Sequence, residues 1–204
     1  MNDTKFYKSL LFINALVPLG LLAFDGFRGE LGANPIEFVT STTGFLTLIF
    51  LFIGLAITPL RKWLKINDLI KYRRMVGLFA FFYGVLHFIT YVWFDRELNL
   101  AKTAGDIWQR PFIAIGMLSF FLLIPLAVTS TNSMIKRLGG KNWQQLHKLV
   151  YVAAIGGVIH FYMIVKSDLT LPLTFAAVLA VLLGYRIYTA NQKAFASQNS
   201  VVPK

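Results

Sequence analysis

The 204-residue chain contains no cysteine. This excludes disulfides, thiolate metal sites, iron–sulfur ligation and thioether-linked porphyrins. Charge is also scarce. Only 14% of residues are charged and nine are acidic, whereas soluble domains carry roughly a quarter charged residues. The shortage leaves long uncharged runs, and a helix needs about 20 mainly apolar residues to cross about 30 Å of hydrocarbon. No G-x-G-x-x-G fingerprint follows a strand-like run, so a dinucleotide-binding domain is not expected. There is no internal repeat and no low-complexity segment. No carboxylate falls inside an apolar run, which argues against a histidine-based proton pathway or transporter.

What is present is 56% hydrophobic residues and a net charge of +11. Such a charge can mark nucleic-acid binding. Here the basic residues stand in loops beside apolar runs, where they act as topology signals, so no nucleic acid is expected. The expected fold is an all-α integral membrane protein, a six-helix transmembrane bundle forming one domain over residues 1–204. Spans are expected at about 10–24, 44–60, 75–94, 111–128, 147–165 and 172–188. The first is short and contains Asn14 and Pro18. Lys5 and Lys8 precede it as in a signal peptide, but no A-x-A-like site follows, so it reads as a retained helix. Pro111 suits the first position of the fourth span. Gly139-Gly140 reads as a turn into a short amphipathic stretch.

Six spans put Lys5, Lys8, Arg61, Lys62, Lys65, Lys71, Arg73, Arg74, Lys136, Arg137, Lys141, Lys148, Arg186, Lys193 and Lys204 on one side. Arg28, Arg96, Lys102, Arg110 and Lys166 fall on the other. Fifteen against five is a positive-inside pattern that places both termini in the cytoplasm.

All three histidines lie in or at the edge of spans. An ionisable group in the membrane is a functional candidate, because burying it unpartnered is costly. A single one is more often a helix–helix hydrogen bond. Depth changes the reading here. His87 lies 14 residues past Arg73, and His160 lies 13 past His147; the rises are roughly 21 and 20 Å. Spans three and five run in the same direction. His87 and His160 therefore reach one level in the outer half of the bundle and suit the two faces of one heme iron. Gly84 and Gly157 precede them by three residues, beside Gly156, and permit either a flat macrocycle or close helix packing. Thirteen residues at about 100° leave His147 about 140° from the face of His160. Either Gly156-Gly157 bends the helix or the two histidines serve different sides of the bundle. At the level of His147, span three offers Arg73 and Arg74. Arginine is a poor iron ligand but pairs well with heme propionates. Positive-inside anchoring is the alternative for both. Tyr83, Phe88, Tyr91 and Phe161 read as packing around the outer histidines, and Arg186 as snorkelling to the inner interface.

Several stretches resemble the MsrQ (YedZ) family of the ferric-reductase-like transmembrane group. They are LGANP at 31–35, ITPL at 57–60, RRMVGL at 73–78 with LH at 86–87, RP at 110–111, TST at 129–131 and W-x-QLH-x-x-x-Y at 143–151, followed by His160. The resemblance runs from about Leu31 to Tyr188. It implies a heme-binding membrane subunit of a bacterial periplasmic protein-methionine-sulfoxide reductase system, located in the inner membrane. Histidine pairs on helices three and five of the wider group hold two stacked hemes b. His87, His147 and His160 match three of those four positions, and the fourth falls at Arg73 or Arg74. The resemblance further implies electron entry from a cytoplasmic flavin reductase or quinol. Exit is to a periplasmic molybdenum-containing methionine sulfoxide reductase (MsrP). Flavin mononucleotide (FMN) is associated with the family by resemblance only, since no phosphate-cradling glycine loop is present.

Overall fold

A computed structural model describes residues 3–199. Lys204 and the side chain of Lys193, both counted above among the cytoplasmic charges, lie outside the described residues. Among those residues every regular element is helical. In order they are α1 (Asp3–Arg28), α2 (Pro35–Trp63), a 3-10 turn (Asn67–Lys71), α3 (Arg73–Ile89), a π-helical stretch (Thr90–Asp95), α4 (Leu100–Gln109), α5 (Pro111–Val128), α6 (Asn132–Leu138), α7 (Gly140–Leu146), α8 (Leu149–Ile164) and α9 (Thr170–Asn199).

Six segments are long and apolar enough to cross a bilayer, in agreement with the expected count. Their ends differ from the sequence windows. The first is a 26-residue helix, because intrahelical hydrogen bonds continue into flanks too polar to register as span. Asn14 inside it bonds its own turn, donating Nδ2–H to the Leu10 carbonyl at 2.8 Å. The fourth coincides with α5, with Pro111 at its start as expected. The fifth is broken, since α7 ends at Leu146 and α8 begins at Leu149. A cap fixes the start of α2. Asn34 accepts from the Glu37 amide, with Pro35 next in the helix, a pairing of cap and first-turn proline that presets the helix. Gly139, at φ 77°, makes the expected turn between α6 and α7.

The core is built around α2, whose Leu48, Leu51 and Leu55 are buried against Ala80 and Tyr83 of α3 and Ala153 and Ala154 of α8. Two tight pairs dominate, α2 with α3 and α5 with α8. The glycines serve this packing. A Cβ on Gly157 would lie 2.9 Å from Leu48 Cδ2, and one on Gly156 would overlap the Ser119 hydroxyl. Close helix approach, not room for a macrocycle, therefore explains Gly156 and Gly157. Helix α1 is attached lightly: the buried Tyr83 hydroxyl donates to the Ala15 carbonyl at 2.5 Å, and Phe12 meets Phe79 with ring centroids 5.4 Å apart.

Arg186 does not snorkel as expected. Its guanidinium donates to the Tyr151 hydroxyl and to the Leu55 carbonyl, each at 2.8 Å. The reason lies in α2. Pro59 has no N–H to offer the carbonyl four residues earlier, which is that of Leu55. An orphan carbonyl in hydrocarbon has no water to turn to, and Arg186 fills the gap from α9. We expect Arg186→Met to cost about 1–2 kcal/mol of stability, the range for hydrogen bonds to a charged group moderated by the membrane setting. In a Pro59→Ala background, which restores the backbone donor, the loss should shrink. Thermal unfolding of the four proteins in detergent checks this, and equal losses in both backgrounds would refute the pairing.

Candidate functional site

Helices α3 and α8 scarcely touch each other, and each packs on its own antiparallel neighbour. His87, near the end of α3, and His160, near the end of α8, lie on either side of the space between them, both half-buried. His87 Nδ1 lies 2.8 Å from the Thr40 carbonyl of α2. His160 Nδ1 lies 2.6 Å from the Phe112 carbonyl of α5. A carbonyl only accepts, so each Nδ1 must carry the proton and donate it. Each Nε2 then keeps its lone pair. This tautomer, held by a bond on the far nitrogen, is the one that metal-binding imidazoles use.

The same device builds both halves. Thr40 lies four residues before Gly44, and Phe112 lies four before Gly116. A Cβ on Gly44 would lie 2.9 Å from His87 Nδ1, and one on Gly116 would lie 2.6 Å from His160 Nδ1. Only a bare backbone lets the imidazole come down onto the carbonyl. Sequence reasoning looked for glycine on the histidine helices and missed Gly44 and Gly116 on the facing ones. Their signal was an isolated glycine in a span of bulky residues, at the depth of a histidine on the next span.

The two rings have centroids 6.1 Å apart and planes at 85°. A metal–imidazole bond is about 2.0 Å, with the ring centroid roughly 1.1 Å behind the nitrogen, so two imidazoles on opposite sides of one metal put their centroids about 6.2 Å apart. Among the described residues no three of His, Cys, Asp and Glu gather as a ligand set. Two facing imidazoles alone suit an ion whose other ligands come from a macrocycle. The residues present thus fit a heme between His87 and His160, at the common depth expected from the sequence.

His147 stands at the entry of the fifth span, as expected, in the two-residue turn between α7 and α8. The Trp143 ring lies 3.9 Å from the His147 ring, and the Thr129 hydroxyl lies 3.2 Å from Nε2. Arg73 is within electrostatic reach of His147. Arg74 turns away and donates to Asn132 at 2.5 Å on the exposed surface.

The four aromatics are occupied elsewhere, as the packing reading expected. Tyr83 stacks on Phe50 at 5.5 Å, Phe88 stacks on Phe120 at 4.8 Å, and Phe161 meets Phe45 and Phe175 edge-on. Tyr91 donates to Asp106 at 2.8 Å. Asp106 is buried and also holds Arg96 at 2.5 Å and Arg110 at 3.3 Å, a network that pins α4 beside the histidine site.

Comparison with known proteins agrees with this geometry. The family model described as "Ferric reductase like transmembrane component" matches residues 40–158. The chain is 53% identical over 188 residues to "Protein-methionine-sulfoxide reductase heme-binding subunit MsrQ" of Herminiimonas arsenicoxydans, covering 91% of this chain and 86% of that protein. It is 44% identical over 194 residues to the protein of the same name from Caulobacter vibrioides, covering 95% and 92%. It is also 44% identical over 188 residues to magnetosome protein MamZ of Magnetospirillum gryphiswaldense, covering 89% of this chain and 29% of that larger protein. The matched region runs from Thr40 through Gly44, His87, Phe112, Gly116 and His147 but stops two residues before His160.

Nitrogen-15 NMR of histidine-labelled protein free of heme tests the tautomer assignment. His87 and His160 should both appear as Nδ1–H tautomers. Gly116→Ala should perturb the His160 signals and leave those of His87 in place, with Gly44→Ala doing the reverse. An Nε2–H tautomer at either residue would contradict the carbonyl bonds described above.

Proposed function

The chain belongs to the MsrQ family of ferric-reductase-like transmembrane components, and from that premise we propose that it is a heme b subunit carrying electrons across the bacterial inner membrane. It is a multi-pass membrane protein with six apolar helices. One observation carries the site assignment: two imidazoles face each other at a 6.1 Å centroid separation, each with Nδ1 tied to a carbonyl.

Heme bound by this pair supplies a one-electron carrier inside the bilayer. The chain's own residues do the rest. His87 and His160 would hold the heme iron through Nε2, and the Thr40 and Phe112 carbonyls orient their rings and raise the basicity of that nitrogen. Gly44 and Gly116 set how far each ring can retreat. The apolar packing of α2, α3, α5 and α8 keeps water and competing ligands away.

A second site is proposed at His147, with Arg73 and Arg74 as candidate partners for an anionic heme edge. The positive-inside charge pattern places His147 on the cytoplasmic side and the His87–His160 pair toward the periplasm. Electrons thus enter from a cytoplasmic flavin reductase or quinol and leave to a periplasmic methionine sulfoxide reductase of the MsrP type. FMN belongs on the donor side in this scheme.

The absorption spectrum of purified protein tests the reading. We expect a low-spin b-type heme spectrum, lost to at least about tenfold in His87→Ala and His160→Ala. A colourless wild-type preparation from heme-replete cells would sink the electron-transfer proposal. Unchanged spectra in both variants would overturn the ligand assignment. A heme-to-protein ratio near two that falls to one in His147→Ala supports the second site, and a ratio near one removes it.

A further inference from the structure

Helix α4 is amphipathic with its polarity turned inside out. Leu100, Ala101, Ala104, Ile107 and Trp108 fall within about 120° of its circumference at 100° per residue. This apolar stripe points away from the protein: Leu100 is 76% and Trp108 91% exposed. The buried residues are Thr103 and Asp106. Asp106 takes Arg96, Tyr91 and Arg110, so the polar face is the one that docks onto the protein.

This orientation is enforced. Glu97 and Leu98, just before α4, have φ of 54° and 57°, a left-handed conformation that costs non-glycine residues roughly 1–2 kcal/mol each. Asn99 then caps the helix by accepting from the Lys102 amide at 2.9 Å. Strain, cap and buried ion network together hold the apolar stripe outward.

The position of α4 identifies what covers the stripe. Arg110 alone separates it from Pro111, the first residue of α5. At its other end the chain has just left the third span, where Trp93 and Phe94 are exposed. Both ends are therefore tethered at the bilayer boundary, the level where tryptophan is favoured. We propose that α4 is an interfacial anchor whose Leu100–Trp108 stripe lies in the lipid leaflet on the His87–His160 side. A soluble partner would meet only the other faces of this helix.

The absence of cysteine makes the test direct. Spin labels are attached to Ala101→Cys, Ala104→Cys, Trp108→Cys, Lys102→Cys and Gln109→Cys, each a single-cysteine protein in phosphatidylethanolamine–phosphatidylglycerol liposomes. Collisions with oxygen, which partitions into lipid, are compared with those of a water-soluble nickel chelate. We expect the oxygen-to-nickel ratio to be several-fold higher at 101, 104 and 108 than at 102 and 109. If Trp108→Cys fails to fold, the two alanine sites carry the comparison. Equal nickel access at all five sites overturns the proposal. Shielding at 101 and 104 that appears only after a periplasmic reductase is added also overturns it and assigns the stripe to that protein. The readout needs no heme, so its failure leaves the electron-transfer reading standing.

Discussion

A polar group in hydrocarbon must find its partner within the chain, since no water will serve. This constraint explains more of the molecule than hydrophobic packing does. The imidazoles of His87 and His160 answer it with helix carbonyls. The carbonyl released by Pro59 is answered by Arg186 from a distant helix. Tyr83 and Asp106 follow the same rule. Apolar side chains fill the space between helices, while these few polar ties decide which helices meet and at what rotation.

The histidine site is a junction between two similar halves. One half is α2 with α3 and the other is α5 with α8. Each contributes a carbonyl, a glycine four residues later and a histidine on the neighbouring helix. Within a half the imidazole is locked by short-range geometry. The spacing between the rings depends instead on how the halves rest on each other, through contacts of α2 with α8 and α3 with α5. A large flat ligand suits such a junction, because it can enter where α3 and α8 leave space without breaking the packing inside either half.

Much of this was legible in the sequence. Hydropathy gave the six spans, and residue counts from the basic loops placed His87 and His160 at one depth. The packing role of Tyr83, Phe88 and Phe161 followed from how commonly aromatics pack in apolar helices. Other features were not legible because they are made between helices. Gly44 and Gly116 act on rings that approach from other spans, so their one signal is a depth shared with a histidine on the next span. Arg186 looked like an interfacial anchor because the carbonyl it serves is 131 positions away. The α7–α8 break was hidden because hydropathy averages across the two residues that form it. The pairing of Asp106 was not legible because its three partners converge only after the chain turns back on itself.

The break at His147–Lys148 also has a mechanical meaning. A continuous helix transmits torsion, so twisting its end would rotate every side chain along it. Here the interruption is only a tighter turn: Lys148 bonds back to Gln145, Val150 to His147 and Tyr151 to Lys148, so α7 and α8 stay coupled through the junction. A push on α7 from the basic loops is therefore passed along α8 toward His160 and is not absorbed at the turn.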